Sequence, residues 1–200
     1  YATDVEAMSL LVAYGADPNV PTKAPPPRQR RGGTYGQDRS ESSELPPVSP
    51  AGPGLWSATD PGSYGPDPSG LPPVKEGGPG VWPIHAASGV GYGEGYAANA
   101  HRHTPNGWLP ALKYLVELGA DVNGRDHNGY NPLHHAAARG DNEMILYLVA
   151  QGADVTAVSR RGQTTADMAN GPVQRVSPFP ETVALLESLG SKNNDNCVSC

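Results

Sequence analysis

The sequence predicts an all-α repeat solenoid interrupted by two long irregular insertions, and three observations carry that prediction. Residues 126–158 and 159–191 echo each other at a fixed period: Gly129 and Gly162 stand 33 apart, as do Asn131 and Thr164. Within the first of these units, Met144, Ile145, Leu148 and Val149 form one apolar helical stripe, and Asn131-Pro132 and Asp141 sit where helices start. Fifteen of the 22 prolines crowd between Pro21 and Pro83, a stretch too rich in Pro and Gly to form a core of its own.

The unit 126–158 justifies itself residue by residue. Asn131 accepts from an orphan backbone N–H at the helix start, and Pro132 suits the first helical position. Ala136 and Ala137 are small enough for neighbouring helices to approach closely. Gly140 takes the left-handed conformation that ends the first helix, Asp141 caps the second, and Gly152 closes it. Residues 153–158 then begin an extended hairpin arm. A single such pair of helices cannot bury its own apolar face and needs neighbours.

With Gly129, Pro132, Leu133, His134, Ala136, Ala137, Gly140, Ile145, Leu148, Val149, Gly152, Ala153, Asp154 and Val155 in register, this unit resembles an ankyrin repeat. The resemblance implies a structural, locally bonded role for His134. It extends to residues 1–20, where Met8, Leu11, Val12, Gly15, Ala16, Asp17 and Asn19 match the second half of a repeat. The expectation is that earlier repeats precede Tyr1 or that a partner covers that end. Residues 77–125 match a further repeat through Gly80, Pro83, Ile84, His85 and Ala86, then Leu112 and Gly119 to Asn123. There Trp82 replaces the usual capping Thr, so the side-chain cap is lost. Residues 159–191 match a C-terminal capping repeat in which Asp167 takes the histidine position, Asn170-Gly171-Pro172 stops the helix, and Glu181, Glu187, Ser188 and Lys192 face outward. Residues 192–200 form an exposed polar tail.

That register locates the two insertions, over 21–76 and 89–108. The first is expected to lie against the solenoid or another chain, with Leu45, Trp56, Tyr64, Leu71 and Val74 as anchors. Loops on solenoids often carry binding, and aromatics are enriched at interfaces, so Trp56, Tyr64, Tyr92, Tyr96 and Trp108 are the candidate partner-binding residues.

Other chemistry finds little support. The chain has 200 residues and a net charge of −6, which argues against general nucleic-acid binding, and Arg28, Arg30 and Arg31 form only a short basic cluster. No apolar run is long enough to span a membrane. No nucleophile–base or zinc-protease motif appears, so no catalytic residue is assigned. Gly91, Gly93 and Gly95 lack the flanking strand and helix of a phosphate loop. His101 and His103 lack converging ligands, and no cofactor is expected. Cys197 and Cys200, the only cysteines, form C-x-x-C: a disulfide or thiol pair, half of a shared metal site, or a haem or lipid motif.

The functional expectation is a non-enzymatic protein-binding scaffold, acting through the concave face and the inserted loops on a protein partner or another copy. The alternatives are a structural subunit of an extracellular or envelope assembly or filament, and a redox or metal accessory protein using Cys197 and Cys200. The Pro/Gly/Tyr-rich inserts and terminal cysteines resemble exported bacterial ankyrin-repeat proteins, which leans the location towards export, with the cytoplasm as the alternative.

Overall fold

The computed structural model describes residues 4–24, 67–91, 108–171 and 177–197. Seven helices occur among them: α1 (Val5–Ala13), α2 (Pro83–Ser88), α3 (Trp108–Glu117), α4 (Pro132–Ala138), α5 (Asn142–Ala150), α6 (Thr165–Ala169) and α7 (Pro180–Ser188). No strand is present among the described residues beyond one isolated antiparallel bridge, Lys23–Pro79.

The starts of the helices follow the capping chemistry of their sequences. Asp4 accepts from the N–H groups of Glu6 and Ala7 at α1. Asn131 Oδ1 accepts from His134 N–H at 3.1 Å, and Asp141 Oδ1 from Met144 N–H at 3.1 Å. Thr164 and Asp167 cap each other reciprocally at α6, at 3.1 and 2.9 Å. At α2 the Trp82 side chain has no acceptor to offer, and no side-chain cap forms. Half of the box survives, because His85 Nδ1 accepts from Trp82 N–H at 3.2 Å. The added ring is tied down separately: its Nε1–H donates to the Arg125 carbonyl at 3.2 Å.

Helix pairs α2/α3, α4/α5 and α6/α7 stack side by side, with α4 packed between α2 and α6, and α1 lying against α3. Leu112, Leu133, Met144, Ile145, Leu148 and Leu186 are fully buried at these seams. Each such side chain contributes about 1.5–3 kcal/mol. Ala136, Ala137, Ala166 and Ala169 are also fully buried, and their size lets the short helices approach. By contrast α1 buries no residue, leaving Leu10 and Leu11 58% and 60% exposed, with Tyr14 just beyond its end 85% exposed.

Gly140 shows how tightly the last two pairs fit. It sits at φ +67°, and an added Cβ would stand 2.6 Å from the Phe179 ring, which is held there by Phe179 N–H donating to the Ala169 carbonyl at 2.9 Å. Gly140→Ala is therefore expected to cost roughly 2–4 kcal/mol, from left-handed strain plus overpacking. A shift of less than 1 kcal/mol in a urea titration would contradict this packing.

Two sequence expectations need correction. The sequence register places Trp108 in the inserted loop 89–108, yet it opens α3 and is only 8% exposed. The Arg139 guanidinium covers its ring at 4.2 Å, so the indole belongs to the core. The exposed tail that the sequence predicts holds for most side chains of residues 192–197 but not for the backbone. Asp167 Oδ1 accepts from Asn194 N–H at 2.7 Å and Asn196 N–H at 3.3 Å, while Thr164 Oγ donates to the Lys192 carbonyl at 2.5 Å. A carboxylate at the histidine position thus caps α6 with one oxygen and pins the following segment with the other.

Candidate interaction surface

The connections between helix pairs project as fingers, and hydrogen bonds stack each finger on the next. Asn19 Nδ2–H donates to the Leu118 carbonyl at 3.3 Å. Asn123 bridges to the next finger twice, donating to the Gly152 carbonyl at 2.9 Å and accepting from Asp154 N–H at 2.7 Å. At the tips, His127 N–H donates to the Gly80 carbonyl at 3.0 Å and Arg160 N–H to the Asn128 carbonyl at 3.1 Å. One side-chain chain follows the 33-residue period: Tyr130 Oη donates to Gln163 Oε1 at 2.5 Å, and Gln163 Nε2–H to the Asn196 carbonyl at 3.1 Å. Residues 191–197 therefore extend the row of fingers beyond the last helix.

The finger row is braced from beneath by buried polar groups. Asp126, 2% exposed, accepts through Oδ1 from Asn128 N–H at 2.8 Å and Tyr130 N–H at 2.9 Å. Its Oδ2 faces His135 Nε2 at 3.3 Å. Burial alone would raise the Asp126 pKa, but the facing His135 imidazole and the Tyr130 N–H outweigh it and hold it below the usual carboxylate value. The His135 ring meets those of His85 and Tyr130 edge-on at 5.5 and 5.6 Å.

His85 and His134 play equivalent parts one repeat apart. In both, Nδ1 faces the helix-start N–H and Nε2 pairs with a finger carbonyl, Gly124 at 3.0 Å for His85 and Gln163 at 3.3 Å for His134, while His134 Nδ1 also meets Asn131 Oδ1 at 2.6 Å. Burial lowers both, His85 to about 4 with help from neighbouring His135, and His134 to about 3 with help from Arg125. Both are neutral braces at physiological pH.

The Asp126 and His135 side chains are 1% and 7% exposed, sealed from any substrate. No group of three potential metal ligands occurs among the described residues. Nor is any helix among them long and apolar enough to cross a membrane. Cys197 is half-buried, disulfide-bonded and accepts from Asn170 Nδ2–H at 3.6 Å. A cleft of about 340 Å³ opens between the first fingers, lined by Pro18, Trp82, Ile84, Ala120 and Arg125 among others.

Of the sequence-predicted contact residues, Trp56, Tyr64, Tyr92 and Tyr96 lie outside the described residues, as do Leu45, Cys200, His101, His103, Gly93, Gly95 and the cluster Arg28, Arg30 and Arg31. Leu71 and Val74 are half-buried. Leu71 packs on the fingers, its Cδ1 3.3 Å from where a Cβ on Gly129 would stand. Arg160 forms an ion pair with Asp67 and donates to the carbonyls of Leu71 at 3.3 Å and Pro72 at 2.6 Å. Sequence reasoning missed Arg160, because a partner 93 positions away leaves no local signal.

Comparison with known proteins agrees with this geometry. The family model for ankyrin repeats in many copies matches residues 96–149. Protein phosphatase 1 regulatory subunit 12A of Rattus norvegicus is 34% identical over 94 residues, covering 47% of this chain and 8% of that protein. Protein phosphatase 1 regulatory subunit 27 of Mus musculus is 37% identical over 71 residues, 36% of this chain and 46% of that protein. Ankyrin repeat domain-containing protein 37 of Bos taurus is 33% identical over 91 residues, 44% of this chain and 58% of that protein. The chain thus matches less than two thirds of the length of each. These mammalian relatives lend no support to the bacterial, exported resemblance. The 33-residue finger period, the paired short helices and these matches identify the repeats of this chain as ankyrin repeats.

Proposed function

We propose that this chain is a non-enzymatic protein–protein interaction scaffold, binding through the face made by its fingers and the helices α2, α4 and α6, and through insertions at 21–76 and 89–108. The observation that carries the reading is the finger row. Its backbone polar groups are spent on neighbouring fingers, while Asp17, Asp121, Asp154 and Thr156 stay exposed along it. A stiff frame presenting exposed side chains is what a recognition surface requires. Two relatives named as regulatory subunits of protein phosphatase 1 support a role exercised through protein contact. Trp56, Tyr64, Tyr92 and Tyr96 are the aromatics assigned to partner contact.

The test follows from how the first insertion is rooted. Thr22 and Ala24 N–H donate to Val81 and Gly78 carbonyls at 2.9 and 2.7 Å, so residues 22–24 belong to the frame. Replacing only residues 25–66 by a short Gly/Ser linker is expected to leave the fold intact and to abolish or weaken capture of protein partners crosslinked to the full chain. Unchanged capture would refute the role given to this insertion.

Self-association is the second reading, favoured by the uncovered apolar surface of α1 at Leu10 and Leu11 and of Tyr14 just beyond it. Light scattering across a dilution series separates the two: a subunit of an assembly stays multimeric, whereas a scaffold awaiting its partner runs as a monomer.

A further inference from the structure

Residues 67–72 sit on the finger tips in the manner of a bound peptide. Among the described residues, no backbone–backbone hydrogen bond joins them to the fingers. The segment is shaped by itself instead: Asp67 Oδ1 accepts from Ser69 N–H at 2.9 Å and Ser69 Oγ–H at 2.5 Å, and Ser69 Oγ accepts from Leu71 N–H at 3.2 Å. The fingers contribute three features. Arg160 reads one carboxylate and two carbonyls with a single guanidinium. Gly129, at φ +80°, leaves room for Leu71, and Gly162, one period later, lies under Pro68, whose Cγ is 3.5 Å from where a Cβ would stand. Hydrogen bonds from Ser69 and Arg160 hold the Asp67 carboxyl below its ordinary pKa against the opposing effect of burial, which keeps the acid charged beside the guanidinium.

We infer that the finger tips around Arg160, Gly129 and Gly162 are a docking site for a turn-forming acidic–proline peptide, occupied in cis by residues 67–72 and open to a protein partner's segment of the same chemistry by exchange. The contact is built for exchange: it consists of side-chain hydrogen bonds and two apolar contacts across glycines, with no ladder to unzip. Tethering gives the cis segment a high effective concentration, so a free peptide competes poorly until the tethered copy is weakened. This inference deepens the scaffold reading, yet fails separately from it, because binding through α2, α4 and α6 does not depend on Arg160.

The test uses a fluorescein-labelled peptide of residues 67–73 and its Asp→Lys version, with fluorescence anisotropy on the full chain. Asp67→Ala/Leu71→Ala should bind the peptide at least roughly tenfold more tightly than the wild type, which still carries its competitor. Adding Arg160→Ala should remove that gain, and the Lys peptide should bind neither protein. Circular dichroism checks that each variant is folded. Equal binding to wild type and the double variant, no binding to the folded double variant, or indifference to Arg160→Ala would each overturn the inference. Should the double variant not fold, saturating the wild type with peptide must speed hydrogen exchange at the Ser69 and Leu71 amides, and unchanged exchange would overturn it equally.

Discussion

Replacing Asp126 by Ala is expected to destabilise the chain by about 2–5 kcal/mol, the usual consequence of leaving two backbone N–H groups without their acceptor. Two backbone N–H groups, of Asn128 and Tyr130, lose their acceptor inside the protein, and His135 loses the oxygen it faces at 3.3 Å. Asp126→Asn keeps an acceptor for the backbone and removes the charge, so its cost should be smaller, about 1–2 kcal/mol. Urea titrations followed by circular dichroism read both. A loss below 1 kcal/mol for Asp126→Ala would mean that the finger is held by something other than this carboxylate. Against a typical total stability of about 5–15 kcal/mol, the expected loss is large enough to unfold a marginal chain.

Acid should weaken the fold well above the range in which carboxylates titrate. His85 and His134 have folded values of about 4 and about 3, against about 6.5 in the unfolded chain. Between these limits the unfolded state binds more protons, so stability is fully present above about pH 6.5 and is lost as pH falls towards the folded values. At pH 5 the loss amounts to about 2 kcal/mol for each histidine. Asp126, whose value is depressed, acts with the opposite ionisation but the same direction: its contribution persists above the ordinary carboxylate value and is lost only as pH falls below it. Melting temperatures at pH 7.5 and pH 5 test this directly. No decrease at pH 5 would contradict neutral, buried histidines at these two positions.

The regular parts of the molecule were legible because their causes are local. Asn131, Pro132, Asp141 and Gly140 each act on a backbone group within a few positions, and the structure finds each in the role its chemistry dictates. The 33-residue period worked for a related reason, since a stacked unit must repeat the residues that touch its neighbours. Trp108 escaped because its burial depends on Arg139 from the next repeat, and beside Asn106-Gly107 a lone indole reads as loop. The tail escaped because Asp167 looks like an ordinary substitution until its second oxygen is seen to accept from residues 194 and 196. Arg160 and Asp67 escaped for want of any spacing rule across 93 positions. The candidate surface is thus legible where it repeats and hidden where distant segments meet.

The central claim is that recognition belongs to the face made by the finger row and helices α2, α4 and α6, with residues 67–72 laid upon the finger tips. Hydrogen exchange of the full chain, with and without a partner recovered by crosslinking, measures this most directly. The account predicts added protection at residues 119–130 and 152–163, together with altered exchange at residues 67–74. Protection confined to α5 and α7, with the fingers unchanged, would contradict it.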